Sequence, residues 1–166
     1  LTVRLKRILE RAVWIIAEHI KRGDFEPQDY EVVFGNGGKF PPIIIELPSG
    51  EKLHLTGRID RIDSMKAEEG TYLRIIDYKS GNKTFKLSDA YYGLEIQLLA
   101  YLDAALDSSP VDTLLPGGVF YFKLDDPLIR CDGNSDIDTV EKAILKELKM
   151  KGLLLADVKL VKAMDK

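Results

Sequence analysis

The chain has 166 residues, 24 lysines and arginines against 27 aspartates and glutamates, a formal charge of -3 and a single cysteine. Apolar residues make up 45% and charged residues 31%, a globular composition that excludes a disordered chain, and one cysteine excludes a disulfide framework. No stretch reaches the roughly 18 uninterrupted apolar residues of a spanning helix, so no membrane association is expected. The length suits one domain over residues 1–166. The chain opens on Leu1 rather than Met, inside an apolar periodicity with no cap ahead of it, and reads as a piece of a larger protein. No small-residue cleavage site follows an apolar core, so no leader and a cytoplasmic setting are expected.

Residues 2–22 predict one helix. Val3, Leu5, Ile8, Leu9, Ala12, Val13, Ile15, Ile16 and Ile20 fall at helical spacings, and Gly23 ends it. Arg4, Lys6, Arg7 and Arg11 read as its solvated face, with a phosphate-contacting face as the alternative. Residues 29–35 predict a strand. Gly35-Asn36-Gly37-Gly38 lacks the Lys-Ser/Thr tail of a phosphate loop and reads as a connection. An apolar run at 42–47 closes on the turn Pro48-Ser49-Gly50. Residues 52–63 alternate, residues 71–79 predict a further strand, and the polar link 64–70 makes these two an antiparallel hairpin. Residues 87–107 predict the clearest helix, with Ser88 as N-cap and Asp89 in its first turn. Residues 117–124 predict an aromatic-rich strand and 136–150 a charged amphipathic helix; 153–164 fits either a strand or a short helix. This order predicts an α/β fold, a mixed β-sheet with helices packed on it.

The chemistry concentrates in residues 57–101. An acid-x-Lys triplet occurs as Asp77-Tyr78-Lys79, Glu147-Leu148-Lys149 and Asp157-Val158-Lys159, so context must decide. On a helix Glu147 and Lys149 lie about 200° apart and cannot converge. Asp157 and Lys159 have no second acid nearby. Asp77 and Lys79 end an apolar strand, and the period of two places them on one face with Leu73 and Ile75. The neighbouring strand brings Asp60. If the strands pair, two carboxylates and an ammonium meet at one edge of the sheet. The plain alternative is a strand-end salt bridge of Asp77 with Lys79 or Arg61.

As a site, the two carboxylates suit a hard divalent cation such as Mg²⁺, which keeps several waters and accepts phosphate oxygens. Lys79 could orient or deprotonate a water, or neutralise charge on a phosphoryl oxygen. Gln97 and Tyr101, at i and i+4, share one helix face. They read either as half-buried helix residues or as a polar pair that contacts phosphate or holds Lys79.

Three segments then carry a resemblance. Gly57-Arg58-Ile59-Asp60-Arg61-Ile62-Asp63, Ile76-Asp77-Tyr78-Lys79-Ser80-Gly81 and Gln97-Leu98-Leu99-Ala100-Tyr101 closely resemble the core motifs of the RecB-type nucleases, of the P-D-(D/E)-x-K superfamily. Residues 4–9, 31–35, 91–94 and 116–122 look like the C-terminal nuclease domains of AddB-type subunits. Those belong to AddAB-type bacterial helicase–nucleases, which process double-strand DNA ends for recombinational repair. The resemblance covers most of the chain.

It implies a restriction-endonuclease-like core: a helix, three strands, a helix and a fourth strand. It implies a Mg²⁺- or Mn²⁺-dependent exodeoxyribonuclease, with Asp60, Asp77 and the Tyr78 carbonyl as metal ligands, Lys79 as the catalytic lysine, and Gln97 and Tyr101 in the last motif. The partners it implies are DNA, as an emerging single strand, and an AddA-type helicase subunit. The family adds a metal-binding histidine in a Gly-x-x-x-His setting. His19 and His54 lack that setting, so this histidine is expected upstream of Leu1. AddB-type domains also carry four cysteines for an iron–sulfur cluster, which the lone Cys131 cannot form within this chain.

A pI near 5.5 carries no mark of a self-sufficient DNA binder. Lys142, Lys146, Lys149 and Lys151 form the main basic cluster besides the first helix and read as solvated, with phosphate contact as the alternative. Two further readings stay open. One is a non-catalytic DNA-guiding or subunit-docking module. The other is an unrelated acid-pair enzyme such as a glycosidase, which needs no lysine.

Overall fold

The computed structural model describes residues 2–81, 85–94, 96–108, 113–130 and 134–164; Cys131 lies outside the described residues. In chain order the elements are α1 (Thr2–Arg22), β1 (Glu26–Phe34), β2 (Ile43–Glu46), β3 (Lys52–Leu55), β4 (Gly57–Ala67), β5 (Gly70–Lys79), α2 (Leu87–Tyr91), α3 (Gln97–Leu106), β6 (Leu114–Lys123), α4 (Ile137–Glu147), β7 (Lys151–Leu154) and α5 (Val158–Met164).

The expected hairpin forms the centre of the sheet and is longer than its polar link suggested. β4 and β5 pair antiparallel from Arg61 opposite Ile76 to Ala67 opposite Gly70, so only Glu68 and Glu69 turn. Five strands run in the order β1-β4-β5-β6-β7. β5 and β6 are parallel and the other neighbours antiparallel. A parallel pair needs a crossover, and α2 and α3 lie within it. The mixed sheet with helices on it is the expected α/β architecture.

Every residue of β5 from Tyr72 to Asp77 is buried, because both faces of the sheet are covered. On one face Leu98, Ala104 and Ala105 of α3 pack against Ile59, Ile62, Leu73, Ile75 and Val119. On the other, Ile15 of α1 and Ile144 of α4 pack with Ile76 and Phe122, and Leu160 of α5 with Phe25 and Tyr72. Burying each of the leucines, isoleucines, valines and phenylalanines contributes on the order of 1.5–3 kcal/mol.

The structure corrects several expectations. α1 carries more apolar residues than one face can use. Ala12 and Ile15 are buried, whereas Val3, Leu5, Leu9 and Val13 are exposed. The run 52–63 splits at Thr56, because β3 pairs with β2 in a separate hairpin while β4 pairs with β1 and β5. The helix expected over 87–107 is two helices. Gly93 takes φ of 72°, its N–H bonds the Ala90 carbonyl, and the Leu94 N–H bonds the Asp89 carbonyl, which closes α2 as a Schellman motif. Lys86, not Ser88, precedes α2; Ser88 lies in its first turn and donates to Asp89 at 3.2 Å. α4 stops at Glu147, with Asp136 Oδ1 accepting from the Thr139 N–H at its start. The ambiguous tail holds both a strand and a helix, β7 and α5. Among the described residues no helix is long and apolar enough to cross a membrane.

Gly152 of β7 lies opposite Phe120. A Cβ there would sit 2.7 Å from the Phe120 Cα and closer still to the Val119 carbonyl. Gly152→Ala is therefore expected to cost about 1–3 kcal/mol, the range for overpacking. A urea melt should show a lower midpoint with an unchanged slope. An unmoved midpoint would contradict the close seating of β7 on β6.

Candidate active site

The site is built where β4 and β5 separate. Their ladder closes at Arg61 and Ile76. One step outward the same register would set Asp60 beside Asp77. There the Asp60 carboxylate takes over the role of a ladder acceptor: its Oδ2 accepts the Tyr78 N–H at 2.8 Å. Asp77 is buried, and Lys79 Nζ lies 2.6 Å from its Oδ2. The alternation holds, with Leu73, Ile75, Asp77 and Lys79 on the face that α3 covers.

α3 delivers the second half. Gln97 is its first residue. Lys79 Nζ donates to Gln97 Oε1 at 3.4 Å, and Gln97 Nε2 donates to the Tyr101 hydroxyl at 2.6 Å. One amide side chain thus bridges the lysine and the tyrosine, and all five expected side chains converge at one end of the sheet. Of the two salt bridges considered for Asp77, the one with Lys79 forms. Arg61 points to the opposite face and binds Asp63 instead.

The sequence reading missed three contributors. Tyr121 stands opposite Asp77 in the β5–β6 register, and Lys79 Nζ lies 5.1 Å from its ring centroid, a cation–π distance. Phe34 meets the Tyr101 ring edge-on at 5.6 Å. Gly57 permits that packing, since a Cβ on it would fall 2.8 Å from the Phe34 ring and 3.4 Å from Tyr101 Cε1. The signal for Gly57 was its place ahead of Asp60. Nothing local marked Tyr121 apart from an aromatic strand.

Behind the site, on the other face, lies a buried ion network. Arg61 Nε donates to Asp63 Oδ1 at 2.5 Å, and Arg74 Nη2 to Asp63 Oδ2 at 2.5 Å. The Arg74 guanidinium also stacks 4.7 Å from the Phe25 ring centroid. Burial lowers the Arg74 pKa. Burial also pulls on Arg61, but the hydrogen bonds and charge of Asp63, with a smaller contribution from Tyr78, raise it on balance. Burial raises the Tyr78 phenol in turn. The side chain of Tyr78 thus anchors on this far face, while its backbone links Asp77 to Lys79.

A cation at this site would find a hard-oxygen donor set. Among the described residues no group of three His, Cys, Asp or Glu converges. The side-chain oxygens such a cation would meet are the carboxylates of Asp60 and Asp77, with water and substrate left to complete its shell. That set fits Mg²⁺ or Mn²⁺ and does not fit a structural zinc. Neither histidine belongs to it: His19 packs edge-on to Phe122 at 5.7 Å on the far face, and His54 is exposed on β3. The other acid-x-Lys triplets do local work. Asp157 Oδ1 accepts the Lys159 N–H at the start of α5, Lys159 Nζ reaches Glu69 at 3.1 Å, and Lys149 lies beyond the end of α4.

The sequence pattern of the PD-(D/E)XK nuclease superfamily matches residues 1–165. The chain is 65% identical over 169 residues to the ATP-dependent helicase/deoxyribonuclease B-subunit of Acetivibrio thermocellus, covering 100% of this chain and 15% of that protein. It is 62% identical over 168 residues to the protein of that name from Ruminiclostridium cellulolyticum, covering 99% of this chain and 15% of that protein. The Alkaliphilus oremlandii protein of that name is 54% identical over 168 residues, with 99% of this chain and 15% of that protein covered. The chain thus spans about 15% of the length of these curated relatives.

Proposed function

The chain belongs to the PD-(D/E)XK nuclease superfamily, and from that premise we propose that it forms one nuclease domain that hydrolyses DNA phosphodiester bonds as a metal-dependent exodeoxyribonuclease. The observation that carries the reading is the convergence of Asp60, Asp77, Lys79, Gln97 and Tyr101 where β4 and β5 part. Mg²⁺ or Mn²⁺ would be held by Asp60, Asp77 and the Tyr78 carbonyl. When bound, such an ion lowers the pKa of a water and offsets charge on a phosphoryl oxygen.

The chain's own residues do the rest. The Tyr78 N–H holds the Asp60 carboxylate in place. The Lys79 ammonium, fixed between Asp77 and Gln97 and over Tyr121, orients the attacking water and neutralises charge gathering on the phosphoryl group. Gln97 and Tyr101 lock the lysine's position, which saves entropy at the moment of attack. Gln97 also places the positive end of α3 at the site, favourable for a phosphate.

The relatives' shared name, the B-subunit of a helicase/deoxyribonuclease, supports a role in processing DNA ends during double-strand break repair. Within this proposal the DNA strand is delivered by an AddA-type helicase subunit, in a cytoplasmic setting. An iron–sulfur cluster would require cysteines beyond Cys131, the one cysteine of this chain.

The test is a labelled single-stranded oligonucleotide incubated with the chain and Mg²⁺ or Mn²⁺. Products shortened progressively from one end, and abolished by a chelator, are expected. A chain that binds the strand and never cuts it, with either ion, would favour a DNA-guiding module and contradict this reading.

A further inference from the structure

The period of two breaks once in β1 and once in β4, at the same rung. In β4, Ile59 and Ile62 belong to the core face that α3 covers, although three residues separate them. Arg61 and Asp63 face the other way, into the network with Arg74. In β1, Val32 and Phe34 share the α3 face, and Asp29 lines a cleft there with Ile62 and Leu73. Strict alternation from Asp29 would bring Glu31 and Val33 inward instead. Each strand thus carries one surplus residue. The register is one-to-one on both sides, with Tyr30 opposite Arg61 and Val32 opposite Ile59. The surplus residues are therefore Glu31 and Asp60, which stand across from each other.

The backbone records the bend. Glu31 has φ of 52°, and among the described residues it is the one non-glycine residue in the left-handed region. Glycine enters that region freely, glutamate at a cost, and a β-branched residue at a greater one. An ordinary bulge sets two residues against one and bends a single strand. Here both strands bend together and their pairing resumes beyond. The side chain does not account for the conformation. Glu31 Oε2 meets Arg58 Nη1 at 3.0 Å with both side chains more than half exposed, a pair of small worth. Backbone strain persists where the surroundings over-determine it, and it clusters at functional sites.

The bend lies where the candidate site opens. β4 stays paired with β1 as far as Gly57 but leaves β5 at Arg61. Asp60, released from the alternation, reaches β5 through its carboxylate and accepts the Tyr78 N–H. Beyond the bend Phe34 faces α3 and meets the Tyr101 ring. A straight β1 would turn Phe34 to the other face, because a one-residue slip reverses every later side chain. We propose that Glu31 is a positioning residue: its left-handed backbone makes β1 follow the bend of β4, and the shared bend holds the Asp60 carboxylate against the end of β5. The proposal rests on the nuclease reading for its purpose and adds the residue that sets one of the two metal-binding carboxylates.

The experiment compares E31V and E31T, which oppose the left-handed backbone, with E31G and E31Q, which tolerate it and discard the carboxylate. Hydrogen exchange of the Tyr78 amide, followed without metal, reads the Asp60 contact. It is expected to be about tenfold faster or more in E31V and E31T, the loss of one hydrogen bond to a charged group. Mn²⁺ affinity should fall about tenfold or more in the same two variants, as when the support of a metal ligand is removed. E31G and E31Q are expected to match wild type in both measurements. E31G should also melt no lower than wild type. K66G, at an exposed lysine of β4 whose φ is not positive, should melt lower, as glycine in a strand does. Circular dichroism reads the folding of each variant, and E31T is read in place of E31V should E31V not fold.

Unchanged Tyr78 exchange in a folded E31V or E31T overturns the proposal. So does E31G melting as low as K66G, which would remove the left-handed conformation. Failure of both β-branched variants to fold would make the bend a requirement of the whole fold and overturns the specific role at Asp60. Mn²⁺ binding lost in E31Q with the Tyr78 amide still protected would make the Glu31 carboxylate itself a ligand, and also overturns it. The two claims come apart in the same data. A wild type that binds no Mn²⁺ sinks the metal site, while the exchange series still decides the bend. Mn²⁺ binding that vanishes in Asp77→Ala yet is indifferent to E31V and E31T sinks the bend alone.

Discussion

Lys79→Ala should lower the rate of strand cleavage by about 10²–10⁴-fold, the usual contribution of a positioned acid–base or charge-stabilising group, while leaving the fold intact. Lys79 is the last residue of β5 and its side chain keeps 22% exposure, so truncation removes packing only at the strand's end, over Tyr121. The same variant should bind Mn²⁺ more tightly than wild type. The Lys79 ammonium lies 2.6 Å from Asp77, and its charge repels an incoming cation and occupies a carboxylate oxygen. Faster turnover, or unchanged turnover, would remove Lys79 from the chemistry. Weaker Mn²⁺ binding would mean that Lys79 supports the site only by holding Asp77 in place. A parallel Lys79→Arg variant keeps the charge but not its compact geometry, and should recover little of the rate.

Asp63→Ala should destabilise the protein by about 3–5 kcal/mol, the cost of removing one partner of a buried ion pair. Asp63 is fully buried and accepts four hydrogen bonds, two from Arg61 and two from Arg74. Its loss strands two guanidinium groups without a counter-charge. Against a typical total of about 5–15 kcal/mol, that is a large share, and a urea melt would read it directly. The network also reaches toward the site through Arg61, whose charge acts on the Tyr78 phenol. Whatever fraction of Asp63→Ala does fold should therefore bind divalent ions less well. A variant as stable as wild type would mean that the two arginines find other partners, and that the network is not a keystone of β4 and β5.

The positions of the candidate-site residues were more legible than the breaks and strand pairings around them, for physical reasons. Strand alternation is strict, so Leu73, Ile75, Asp77 and Lys79 could be placed on one face from their numbers alone. Helical spacing did the same for Gln97 and Tyr101. The break after α2 depended on Gly93 in a left-handed conformation, a stop signal that the apolar run on either side concealed. The partner of each strand is a long-range property. Residues 52–55 alternate and the polar Thr56-Gly57-Arg58 follows before Ile59, but a local break of that kind does not say that the pairing partner changes at Thr56. Tyr121 and Phe34 join the site only through register across strands far apart in sequence. The Arg61–Asp63–Arg74 network is an instance of the opposite kind. Its residues are charged, and charge in a sequence suggests solvent, whereas mutual pairing allows them to be buried.

The central claim is that Asp60 and Asp77 form a divalent-cation site, and calorimetric titration of Mn²⁺ into this chain beside its Asp77→Ala variant tests it most directly. The account predicts saturable binding by the wild type that disappears in Asp77→Ala, while circular dichroism shows both folded. Binding that survives in the variant, or a folded wild type that binds no Mn²⁺, would contradict it.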